Sequence, residues 1–126
     1  MNATTQFTPP RTATMENPVG DYLRTASIEI TGKQADKIPL LRAGFPEGAN
    51  VFVALIDAAD LDGQVQALAA LRAAGYNPIP HVPARFVRDT DDLKRRLAAF
   101  RDRAQVTDVL ALGGGAPQPI GKFDAA

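Results

Sequence analysis

The chain has 126 residues, enough for one ordinary domain and short of two. Apolar residues make up 45% and charged residues 22%, a balance that argues against wholesale disorder. Fourteen basic side chains balance fourteen acidic ones, so no net charge drives the chain toward nucleic acid or an anionic membrane. The absence of cysteine excludes a disulfide framework, a thiolate metal site and a cysteine nucleophile, and a single histidine excludes any multi-histidine site. No apolar run approaches a membrane span, and no basic region followed by an apolar stretch opens the chain, so a cytoplasmic protein is the default expectation.

Residues 1–20 are rich in Thr, Pro and Asn without periodicity and read as a flexible N-terminal tail, with order beginning near Asp21. Leu23–Ile30 reads as a first strand, closed by Gly32. Gln34–Ala43 is helix-like, and Pro39 predicts that it is broken or begins as an irregular turn. Asn50–Ile56 is an almost continuous apolar run of strand length, as expected for a strand covered on both faces. Asp60–Ala74 is the clearest helix, with Leu61, Val65, Leu68 and Leu71 or Arg72 at the 3.6 period, Asp60 as cap and Gly75 as stop. Asn77–Val82 reads as a short strand with prolines. Thr90–Ala104 is the second clear helix. Asp89 or Thr90 caps it, Leu93, Leu97 and Phe100 face inward, and Asp91–Arg95 and Asp92–Arg96 form i,i+4 pairs. Thr107–Leu112 is the fourth strand. The alternation predicts an α/β fold built from parallel βαβ units, without hairpins.

Functional residues of such folds gather at the carboxyl ends of strands. Glu29, Asp57, His81 and the Gly113-Gly114-Gly115 loop all meet that rule. A carboxylate in an apolar strand is costly unless paired or used, and burial would make Glu29 a better proton donor. The competing reading has Glu29 facing solvent or pairing with Arg24 or Lys33. His81 can contact a cofactor or substrate carbonyl, or can be a rim histidine bonded to the backbone. Three glycines permit close approach of a ligand, or simply make a turn; no dinucleotide fingerprint is present. Asp57 can bind a polar ligand, and capping of the next helix is the favoured reading. The cluster Lys94, Arg95, Arg96, Arg101 and Arg103 is interleaved with acids and reads as a solvated helix face.

The order of these residues resembles the N-terminal half of the methylenetetrahydrofolate reductase family. Ser27-Ile28-Glu29-Ile30 looks like the family's S-F-E-F strand, Pro80-His81-Val82 like its P-H-L segment, and Ala111–Pro117 like its A-L-R-G-D-x-P segment. The likeness covers residues 23–124 through short motifs. It implies half of a (β/α)₈ TIM barrel spanning 21–126, and an incomplete chain whose second half-barrel is missing. It implies an oxidoreductase of one-carbon metabolism that reduces methylenetetrahydrofolate, with a tetrahydrofolate substrate, NAD(P)H and FAD. Glu29 would then be the proton donor, and His81, Asp57, Gly113, Gly114 and Gly115 would border the cofactor and folate.

Several positions depart from the family pattern. The family's Arg and Asp of the last motif fall on Gly113 and Gly115, and its flavin-contacting Thr-Tyr-Gly turn falls on Leu55-Ile56-Asp57. These losses predict weakened flavin binding. They also keep open a non-catalytic half-barrel module or pseudo-enzyme that needs a partner, including a homo-oligomer that covers its open edges. A flavodoxin-like regulatory domain is a third reading, and it lacks the acidic cluster expected after the first strand.

Overall fold

The computed structural model describes residues 17–125. The expected tail at 1–16 lies outside them. Helix α1 spans Pro18–Arg24 and strand β1 spans Ile28–Thr31. The first strand is therefore shorter than the apolar pattern suggests, and residues 18–24, including part of the expected tail, are helical. A proline at the first helical position is compatible with a helix start, because its missing N–H would have no intrahelical acceptor there.

A 3₁₀ segment, Gly32–Ala43, follows β1. Of the two expectations for this segment the irregular start holds, with non-helical geometry at Gln34 (φ −105°, ψ 15°) and Pro39 inside the helical run. Gln34 Oε1 turns back to accept from the Thr31 N–H at 2.9 Å, which ties the end of β1 to the segment after it. Strand β2 is Asn50–Ala54, helix α2 Leu61–Ala73 and strand β3 Asn77–Pro83. A short 3₁₀ turn at Ala84–Phe86 precedes helix α3, Thr90–Ala104, and strand β4 is Leu110–Leu112. Asp89 caps α3, accepting from the Asp92 N–H at 2.8 Å. Asp60 occupies the cap position of α2 but makes no side-chain capping bond. Gly75, at φ 92°, takes the left-handed turn that ends α2, a conformation that costs a glycine little.

The sheet is parallel throughout, in the order β1-β2-β3-β4. Each crossover steps to the next strand in the same direction. Right-handed crossovers of that kind lay their connecting segments on one face of the sheet. Accordingly the 3₁₀ segment packs on α2, α2 on β2 and β3, and α3 on α2. The core lies between these layers, with Val51, Val53, Leu68, Leu71, Tyr76 and Phe100 buried.

Strand β3 carries three prolines in a central position, where a missing ladder donor is normally destabilising. Register explains why they are tolerated. The Asn77 N–H donates to Ala49 O, so alternation turns the nitrogens of Pro78 and Pro80 toward the β4 side. Strand β4 pairs only with His81–Pro83, beyond both of them. The nitrogen of Pro83 turns toward β2, whose pairing with β3 has ended at Val53–Pro80. No ladder bond is lost.

Helix α3 corrects three expectations. Leu97 is 38% exposed and does not face the core. Arg96 and Asp92 are buried instead, with Arg96 Nε 3.2 Å from Asp92 Oδ2. Arg95 pairs with Asp92, not with Asp91. The basic cluster is therefore not wholly a solvated face. The Arg96 guanidinium also donates to Phe86 O at 3.0 Å, anchoring the turn that follows β3.

Candidate active site

Glu29 on β1 and His81 on β3 meet across β2. The register pairs Glu29 with Phe52 and Phe52 with Ile79, so these three side chains form one row on the face away from α2. His81 lies two residues beyond Ile79 on that face. Strands β1 and β3 are about 10 Å apart, twice the usual inter-strand spacing, so only two long side chains can bridge them. Ala54, two residues after Phe52 and on the same face, is small enough to leave room between them. The result is a 3.2 Å contact between His81 Nε2 and Glu29 Oε2. The His81 ring also lies 6.0 Å from the Phe52 ring, tilted by 57°.

Glu29 is not buried; it faces solvent, as the competing reading expects. Its side chain is 59% exposed, whereas that of His81 is 13% exposed. Glu29 pairs with neither Arg24 nor Lys33; the partner is the histidine. The pair thus presents a solvent-facing carboxylate backed by a mostly covered imidazole.

The two residues border a cleft of ≈ 830 Å³ at the carboxyl ends of the strands. Leu55, Ile56, Asp57 and Ala58 form one wall after β2, Pro83 and Phe86 another after β3, and Leu112, Gly114, Gly115, Ala116 and Pro117 the third after β4. Asp57 lines this cleft, and its Oδ1 accepts from the Ala59 N–H at 2.9 Å. It therefore closes the turn ahead of α2 and does not occupy the helix cap, which is Asp60. Of the three glycines, Gly114 and Gly115 line the cleft. Gly113 stands behind it, with its carbonyl accepting from the Arg85 N–H at 3.1 Å. Gly114 has φ 96°, so the turn uses a conformation that other residues adopt only with strain.

Two residues that build the site have no counterpart in the sequence reading. Arg85 holds the segment after β4: its guanidinium donates to Ala116 O at 2.7 Å and Asp124 O at 3.1 Å, and meets the Asp124 carboxylate at 3.0 Å. Gln64, in the first turn of α2, donates to Val53 O at 3.0 Å and His81 O at 2.9 Å. A signal for Gln64 existed, since positions 61, 64, 65, 68 and 71 form one helical stripe in which it is the only polar residue.

Among the described residues the ionisable side chains lining the cleft are Glu29, Asp57 and His81, and no Lys or Arg joins them. That set suits a ligand rich in N–H donors. It does not suit the diphosphate of FAD or of a nicotinamide dinucleotide, which calls for a cation or a helix N-terminus. Among the described residues no group of three or more metal-binding side chains is present, and no helix is long and apolar enough to cross a membrane. No family model matches the chain.

Proposed function

We propose that this chain is a methylenetetrahydrofolate reductase-like oxidoreductase module, in which Glu29 and His81 form the proton-delivering end of a folate cleft. The observation that carries the reading is the 3.2 Å Glu29–His81 pair at the mouth of a cleft on the carboxyl side of a parallel sheet. The stepwise winding β1-β2-β3-β4, with connections on one face, is also that of a (β/α)₈ barrel, and supports reading these strands as half of one.

The chemistry follows from the pair. Reduction of methylenetetrahydrofolate opens the five-membered ring by breaking the bond between the bridging carbon and N10. N10 then needs a proton: Glu29 in its carboxylic-acid form gives it and is left as a carboxylate, which His81 Nε2 stands 3.2 Å away to hydrogen-bond and which solvent at its exposed side reprotonates. Ring opening leaves an iminium carbon that must gain a hydride; because the lining of this cleft does not fit a nucleotide diphosphate, the residues here account for the proton and the folate and not for the hydride donor. Asp57, at the other side of the cleft, offers a carboxylate to the amino and N–H edge of a pterin.

A second reading is favoured by one specific observation, a cleft with no cation among the described residues: a folate-binding module that performs no hydride transfer. Calorimetric titration with 5-methyltetrahydrofolate and a turnover assay with NAD(P)H separate the two. Saturable binding is expected, kept within about tenfold (about 1.4 kcal/mol) by Glu29→Gln. Product formation is expected to fall by about 10²–10⁴ in that variant, the usual worth of a general acid. Binding without turnover in the unaltered chain would favour the second reading. No saturable binding at millimolar ligand would refute both.

A further inference from the structure

We infer that Gln64 is a positioning residue for His81, holding its backbone so that the imidazole meets Glu29. Gln64 is 1% exposed and lies in the first turn of α2, far from the surface that a glutamine usually occupies. Its Nε2 donates to Val53 O and to His81 O, one carbonyl from each of two neighbouring strands. These bonds fall where the strands part. Pairing of β2 with β3 ends at Val53–Pro80, so His81 O lies just past the end of the ladder and takes a side-chain donor in place of a strand partner. The Gln64 amide thus extends the sheet by one link on the residue that carries the imidazole.

The helix turn that bears Gln64 is itself held from the other side. A Cβ built at Gly32, directly after β1, would fall 2.7 Å from the Gly63 carbonyl carbon and 2.9 Å from the Gln64 nitrogen. The end of β1, the start of α2 and the ends of β2 and β3 therefore converge on one point, and Glu29 and His81 are set by the strands that meet there. The amide satisfies two strand-end carbonyls but not its own oxygen. Gln64 Oε1 is buried with no partner among the described residues, an unsatisfied acceptor that an apolar side chain would avoid.

This inference rests on the reading of Glu29 and His81 as the working pair, and its test reads their geometry in the ligand-free chain. Failure of folate binding would leave the result untouched. The chain has one histidine, so its imidazole proton and carbon resonances are unique in an NMR spectrum. At one fixed pH, Gln64→Met should move the His81 ring resonances by at least half of the change produced by Glu29→Gln. The Gln64→Met, Glu29→Gln double variant should resemble Glu29→Gln alone, because contacts already broken cannot be broken again. Leu71→Ala, a core truncation at the far end of α2, should leave the ring resonances in place. Strict additivity of the two changes, an unmoved ring in Gln64→Met, or an equal movement in Leu71→Ala would overturn the proposal. Should Gln64→Met fail to fold, the reciprocal measurement decides. Glu29→Gln alters an exposed side chain, and it should shift the Gln64 side-chain amide signals; unchanged signals would overturn the proposal equally.

Discussion

Replacing Asp92 by alanine removes one carboxylate that serves three donors. Asp92 Oδ2 accepts from the Arg88 N–H at 3.0 Å and from Arg96 Nε at 3.2 Å, and Arg95 donates to the other oxygen. Asp92 and Arg96 are both buried. Arg95 is largely exposed, so its share is small. The main effect is an Arg96 guanidinium left buried with Phe86 O as its one remaining acceptor among the described residues. Breaking one side of a buried pair costs about 3–5 kcal/mol, against a total stability of about 5–15 kcal/mol for a domain. Urea unfolding followed by circular dichroism should show that loss as a lower midpoint at unchanged slope. Removing both charges, as Asp92→Leu with Arg96→Met, should lose much less than Asp92→Ala, because no charge is then stranded. A loss below about 1 kcal/mol for Asp92→Ala would refute the argument that this pair anchors the turn after β3. The pH dependence has a definite sign. Burial pushes the Asp92 carboxyl up, but bonds from the Arg88 N–H, Arg96 and Arg95 outweigh it, and the net shift is below the ordinary value of 3.8. A depressed folded-state pKa means that the stabilisation is complete above the unfolded value. It is lost as pH falls from there through the folded one. Asp92→Ala should therefore flatten the acid limb of the stability curve.

Gly32→Ala should destabilise by about 1–3 kcal/mol, measured by the same melts, because its Cβ would meet the Gly63–Gln64 backbone, which no rotamer change can relieve. Arg85→Ala should release the segment from Ala116 to Asp124, seen as faster amide exchange at Ile120 and Lys122, with a modest global effect of about 1 kcal/mol since the guanidinium is partly exposed. The parallel edges of β1 and β4 have no strand partner among the described residues, and Val109, Leu110 and Ile56 are exposed near the sheet. Sedimentation velocity should accordingly show association that grows with concentration; a sharp monomer at every concentration would count against an interaction edge.

The amino-acid sequence alone determined the elements that depend on local pattern. Thr90–Ala104 and the apolar stripe of α2 follow from the 3.6 period, and β2 from a short run of apolar residues. The parallel arrangement follows from strand and helix alternation, since a parallel pair needs a crossover between its strands. Local pattern failed where two segments compete for the same residues. Leu23 and Arg24 carry a strand-like neighbourhood, yet they close α1, because β1 has pairing partners only from Ile28 onward. Burial along α3 departs from the periodic pattern for a related reason. A helix exposes whichever face its neighbours leave open, and here α3 turns Asp92 and Arg96 inward to bind the Phe86 turn while Leu97 stays half out. The chemistry of Glu29 and His81 was legible as residue types at strand positions. Their contact was not, because 52 positions of chain separate them and only the register of β1, β2 and β3, with small Ala54 between, brings the two side chains together. Gln64 stayed hidden for the same physical reason: its donors matter only once two strands part beside it and leave carbonyls to be satisfied.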